Sequence, residues 1–130
     1  MSDGLKLAVG GDHTELAAEA VHEAMGGALA LLSEASTQLG VSGGSWTLNE
    51  LSLGSATMVL SNPNAVGAVA LVTSGIEELR QSARIPDRWT LRMVRRALKL
   101  GELVGRRGVT SVSLGRASGH VTPVDGEVTA

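Results

Sequence analysis

The stretch from Trp46 to Leu60 constrains the fold of this chain more than any other. It is the longest run of residues that favour β-strands, and it begins with one of the two tryptophans, in a chain without Phe or Tyr. A Gly54-Ser55 pair lies at its centre, where a tight turn needs small residues. The stretch therefore predicts a β-hairpin, with a bulge near Asn49-Glu50 that changes which face the leucines occupy.

Patterns on both sides of this hairpin predict further strands and helices. Alternating residues favour strands, apolar residues three and four apart favour helices, and Gly or Pro marks their ends. The predicted elements are strands over 5–9, 109–114 and 120–124, and helices over 12–39 (with Gly40 as C-cap), 65–83 and 88–104. Their order, β-α-β-β-α-α-β-β, predicts an α+β fold with a mostly antiparallel sheet packed against helices. We assign residues 1–124 to this single domain and residues 125–130 to a frayed tail.

Helical periodicity also predicts the buried faces. The predicted inner stripe of the helix over 65–83 consists of Val66, Val69, Ala70, Thr73, Ile76 and Leu79. In the helix over 88–104, Trp89 and Met93 begin the apolar face. The Gly26-Gly27 pair interrupts the first helix, and it predicts either a kink or a close crossing with another helix.

Composition limits the kind of protein that this chain can be. Hydrophobic residues make up 43% of it and charged residues 18%, which favours a folded core over disorder. The chain has no cysteine, which excludes disulfides, thiolate nucleophiles and cysteine-ligated metal centres. The longest nearly apolar stretch, over residues 24–32, is too short to span a bilayer, so we expect a cytoplasmic protein without membrane contact. The preference for arginine over lysine is typical of a bacterial or phage genome.

Charge is distributed unevenly along the chain, although the net charge is only −2. Ten of the eleven basic residues lie between Arg80 and Arg116, whereas acidic residues dominate before Arg80. The candidate binding residues for a protein or nucleic-acid partner are Arg88, Arg92, Arg95, Arg96, Lys99, Arg106 and Arg107. Basic stripes of this kind neutralise phosphates or acidic protein surfaces. The alternative interpretation is a solvated basic face that pairs with the acidic first helix, in the same molecule or in a second copy.

Catalytic and cofactor-binding patterns are weak by comparison. The most enzyme-like cluster, a weak candidate for a metal site, consists of Asp12, His13, Glu19, His22 and Glu23, and it lacks an H-E-x-x-H motif. Gly10-Gly11 lacks the lysine of a phosphate-binding loop, and Gly54-Ser55 lacks the glycine spacing of a nucleophile elbow. We therefore expect no catalytic residue, no cofactor, no metal and no small-molecule substrate.

The hairpin also carries a resemblance to a known group of proteins. The similarity lies in four features: a strand that ends in Gly11-Asp12, the helix at Glu15, the strand Trp46-Thr47-Leu48, and Leu51 followed by Gly54-Ser55-Ala56-Thr57. In these features the chain is similar, over about residues 5–110, to a widespread group of small bacterial proteins and phage-associated domains. The resemblance supports the predicted fold, and it implies no activity because none is known for that group.

Three functions remain open at this point, of which the least favoured is an enzyme with an acidic metal site. The first is a non-enzymatic protein-interaction domain, in a phage or bacterial defence context, that self-associates as a homo-oligomer or docks on a protein partner. The alternative is a nucleic-acid-binding protein that uses the arginine-rich third helix. The near absence of aromatic residues for base stacking and the negative net charge favour the first.

Overall fold

The computed structural model describes residues 4–11, 18–41, 46–52, 56–82, 84–105 and 108–124. These residues form five strands, three α-helices and one short 3₁₀-helix at Pro63–Ala65. The strands are β1 (Leu5–Gly11), β2 (Thr47–Ser52), β3 (Ala56–Ser61), β4 (Val109–Arg116) and β5 (Val121–Pro123). The helices are α1 (Ala18–Gln38), α2 (Val66–Ser82) and α3 (Leu91–Gly101). The predicted α+β class and the predicted element order are confirmed.

The strands form one antiparallel sheet in the order β2-β3-β1-β4-β5. β1 lies at the centre, where Leu7 is paired with Met58 of β3 on one side and with Leu114 of β4 on the other. The predicted hairpin of β2 and β3 is confirmed, and its register shifts between Leu48 and Glu50, where a bulge was expected. The predicted Gly54-Ser55 turn lies outside the described residues.

All three helices contribute to one core. The odd-numbered side chains Leu5, Leu7 and Val9 of β1 are fully buried, while the intervening side chains of Lys6 and Ala8 are half-buried on the opposite face. This alternation places the core on one face of the sheet. α1 packs against β1 and against both other helices, and α2 packs against β4 and β5. None of the described helices is long and apolar enough to cross a membrane.

Helix α1 ends as its sequence predicts. Gly40 adopts a φ of +69°, a conformation that a residue with a side chain rarely adopts. The backbone N–H of Gly40 donates to the carbonyl of Thr37, and that of Val41 donates to the carbonyl of Ser36. This pair of hydrogen bonds is a Schellman motif, which satisfies the last carbonyl groups of the helix. The predicted start of the helix, at Asp12, lies outside the described residues.

The start of the third helix was predicted wrongly. α3 begins at Leu91 rather than Arg88, because the side chain of Thr90 caps it by accepting a hydrogen bond from the N–H of Met93 at 3.2 Å. Trp89 therefore precedes the helix, and its indole Nε1 donates to the carbonyl of Leu71 in α2 at 3.0 Å.

The buried face of α2 also differs from the prediction at one end. Val66, placed on the inner stripe from the sequence, is 41% exposed. It is the first residue of α2, directly after the short 3₁₀-helix. Residues further along the helix, including Ala68, Val72 and Ile76, are buried.

Candidate functional site: the groove between α1 and α3

Helix α3 carries a row of cations on its outer side. Met93, Ala97 and Leu100 are buried, and they hold the helix against the core. The exposed cations Arg92, Arg95, Arg96 and Lys99 follow each other at intervals of three, one and three residues. They form one stripe that is about 10 Å long at the helical rise of about 1.5 Å per residue. We call these four residues the basic face.

The structure brings together four of the seven basic residues that the sequence indicated. Arg88 lies in a turn before α3, and it lines a separate depression beside Trp89 and Gly75. Arg106 and Arg107 lie outside the described residues. Among the described residues, the candidate site therefore consists of the four cations of α3, and Arg88 lies apart from it.

The basic face borders a groove between α1 and α3. The groove consists of two adjoining depressions of about 390 and 300 Å³, both lined by Arg96 and Lys99. Residues 23–30 of α1 line the larger depression together with residues 96–103, whereas Glu34 of α1 lines the smaller depression together with residues 92–99. The two helices therefore run in opposite directions along the groove, which we call the α1–α3 groove.

The larger depression has a floor of small and aliphatic residues. Gly26, Gly27 and Ala30 line it from α1, and Leu100 and Leu103 line it from the α3 side. A Cβ atom at Gly27 would lie 2.8 Å from Cδ2 of Leu100, so the absence of a side chain lets the helices cross closely. α1 is continuous through the glycine pair, and the close crossing that the pair predicted is found at Gly27.

Gly26 leaves open space in the same depression. A Cβ atom at Gly26 would meet no other atom within 4 Å, apart from its own helix backbone and chain neighbours. Gly26 and the buried side chains of Leu100 and Leu103 line the same depression, which therefore has an open position on α1 and an apolar floor. We call this part of the α1–α3 groove the notch.

Carboxylates accompany the cations along the groove. Glu23 and Glu102 line the larger depression and Glu34 lines the smaller one. Salt screens the interaction between exposed charges that lie more than about 10 Å apart. The groove therefore presents a positive wall on α3 with negative charge at its margins, and it is not a uniformly positive surface.

Two exposed aliphatic side chains belong to α3 and to the segment before it. Leu91, at the start of α3, is 64% exposed and lies four residues before Arg95, so the two are neighbours on the helix surface. Ile85, in the segment before α3, is 58% exposed. Contact with a protein would remove both side chains from water, which a purely ionic partner would not require.

The structure describes three of the five weak metal candidates. Glu19, His22 and Glu23 are all exposed on α1, and Asp12 and His13 lie outside the described residues. Among the residues that the structure does describe, no group of three or more His, Asp or Glu side chains is placed to hold a metal ion. His120, 80% exposed, has its Nε2 atom 3.2 Å from a carboxylate oxygen of Glu77.

The notch was not identified as a site from the sequence. The only signal was the Gly26-Gly27 pair, which indicated a close crossing but not which helix crosses there. The contribution of Leu100 and Leu103 depends on the antiparallel packing of α3 on α1, which no local pattern encodes.

Comparison of the chain with protein-family models, with curated proteins and with solved structures gives no match. The function must therefore be inferred from the α1–α3 groove itself. Its described residues offer cations, a few carboxylates and an apolar notch.

Proposed function

We propose that this chain is a non-enzymatic, cytoplasmic protein-interaction domain, which docks an acidic protein partner on the basic face of α3. The observation that carries the proposal is the alignment of Arg92, Arg95, Arg96 and Lys99 on one exposed stripe beside a groove. Guanidinium groups pair with carboxylates through two parallel hydrogen bonds, and four cations in a row suit several carboxylates.

A protein partner fits this surface better than a nucleic acid does. Neither tryptophan is available for base stacking, since Trp89 is 6% exposed and Trp46 is half-buried against the core. The exposed side chains of Ile85 and Leu91 add apolar area that only a protein would cover.

Binding of a fluorescein-labelled polyglutamate peptide, measured by fluorescence anisotropy at low salt, tests the proposal. Arg95→Glu is expected to weaken binding about fivefold, which corresponds to about 1 kcal/mol at the upper end of the range for exposed ion pairs. Lys6→Glu is the matched control, because it makes the same charge change on the opposite face of the sheet and should leave binding unchanged.

Two other results would contradict the proposal. An equal loss of peptide affinity in Arg95→Glu and in Lys6→Glu would show that binding depends only on the net charge of the protein. Tighter binding of labelled duplex or single-stranded DNA than of the acidic peptide, with a steep salt dependence, would favour the nucleic-acid function instead. Light scattering at two protein concentrations tests whether the partner is a second copy of the chain.

A further inference from the structure

The notch and the basic face lie side by side in one groove. Arg96 and Lys99 line both depressions, so a ligand that occupies the notch extends directly past these two cations. The notch, at about 390 Å³, lies at the lower end of the roughly 300–1,000 Å³ typical of ligand sites. It has room for at least one aliphatic side chain.

The position of the cations defines how a ligand is oriented along the groove. Arg92 and Arg95 line only the smaller depression, which lies toward the C-terminal end of α1 and away from the notch. Arg92 lies seven residues before Lys99, or about 10 Å along α3. In an extended peptide, at about 3.3 Å per residue, this distance corresponds to about three residues. Carboxylates within about three residues of an apolar anchor therefore reach the basic face while the anchor fills the notch.

We infer that the α1–α3 groove binds a short acidic peptide segment, with one aliphatic side chain inserted in the notch over Gly26 and the neighbouring carboxylates paired with Arg92, Arg95, Arg96 and Lys99. The inference rests on the proposed function, because it names the partner of the same basic face. Peptide recognition in a groove between helices uses apolar anchors in this way, with charged residues giving orientation.

The test combines two peptides with two variants of the whole chain. The peptides are labelled and about ten residues long, rich in glutamate, with either leucine or serine at the centre. For the unmodified chain, the leucine peptide is expected to bind about tenfold more tightly than the serine peptide, a modest share of what full burial of leucine yields. Binding of both should weaken as salt is added.

Gly26→Leu is the variant that isolates the notch. The new side chain occupies the open space, and the change favours the helix because leucine has a higher helix propensity than glycine, so the fold is retained. It is expected to abolish the difference between the two peptides. Gln81→Leu is the control, since it adds the same side chain at an exposed position of α2, a helix that lines neither depression.

The outcomes separate the two proposals. If Arg95→Glu weakens binding but the leucine and serine peptides bind equally well before and after Gly26→Leu, the notch plays no part and this inference is overturned while the proposed function stands. If Arg95→Glu has no effect on either peptide, the basic face is not the docking surface and both proposals fail. Loss of the leucine preference in Gln81→Leu as well would also overturn the role of the notch.

Discussion

Single glycines determine how the helices of this protein pack. Gly75 lies where the indole of Trp89 packs on α2, and a Cβ atom there would overlap the Nε1, Cε2 and Cζ2 atoms of the ring. The same indole donates its N–H to the carbonyl of Leu71, so its position is fixed by a hydrogen bond as well as by packing. Trp89 therefore joins the segment before α3 to α2.

Gly75→Ala is expected to destabilise the protein although alanine favours helices. Overpacking of the indole costs about 1–3 kcal/mol and the strained hydrogen bond about 1 more, against a gain in helix propensity of about 1 kcal/mol. We predict that the free energy of unfolding, measured by urea denaturation, falls by about 2 kcal/mol.

Gly26→Ala is the matched control for that substitution. Its Cβ atom meets nothing within 4 Å, so only the helix propensity changes, and the free energy of unfolding should rise by up to about 1 kcal/mol. Equal effects of the two substitutions would show that the indole does not pack on Gly75 as described.

The structural roles of some of these residues could be predicted from the sequence, and those of others could not. Gly40 as the end of α1 was predictable, since a glycine after an apolar periodic stretch is a local signal. Gly75 was not, because its partner Trp89 lies fourteen residues further along the chain and was expected on the apolar face of a helix. The true start of α3 was missed because Pro86-Asp87 gives an equally good start signal, and only the structure shows that Thr90 caps the helix.

The inner and outer sides of helix α3 have different roles. Its inner side chains Met93, Ala97 and Leu100 are buried against the rest of the molecule, while its outer side carries the basic face. Leu100 is 1% exposed and packs beneath Gly27 at the crossing with α1. It thus supports both the helix packing and the floor of the notch.

Leu100→Ala is expected to lower the free energy of unfolding by about 3 kcal/mol, within the range for buried leucines that are truncated to alanine. Leu91→Ala, in the same helix but at a position that is 64% exposed, should change it by less than about 0.5 kcal/mol. Denaturation in urea distinguishes the two. A similar cost for both substitutions would contradict the orientation of α3.

Elements with strong local signals were predicted well. The hairpin of β2 and β3, including its bulge, follows from a stretch in which alternation, turn residues and a following proline agree. Its register against β1 is set by Leu5 and Leu7, whose partners Leu60 and Met58 lie more than fifty residues away, and it required the structure.

The whole molecule places the uneven charge of its sequence on neighbouring helices. α1 carries Glu19, Glu23 and Glu34 and α3 carries the basic face, and the two pack side by side across the α1–α3 groove. The sequence showed the charge segregation, but it did not show that the acidic and basic helices are adjacent. Because the two helices are adjacent, the basic face borders the α1–α3 groove, which contains the apolar notch.

Amide proton–nitrogen correlation spectra, recorded as the leucine-containing acidic peptide is titrated into the labelled protein, test the central claim most directly. We predict that the chemical-shift changes concentrate on Gly26, Ala30, Arg95 and Lys99, around the α1–α3 groove. Changes that concentrate instead on the opposite face of the sheet, at Lys6, Ala8 and Ser113, or no changes at saturating peptide, would contradict it.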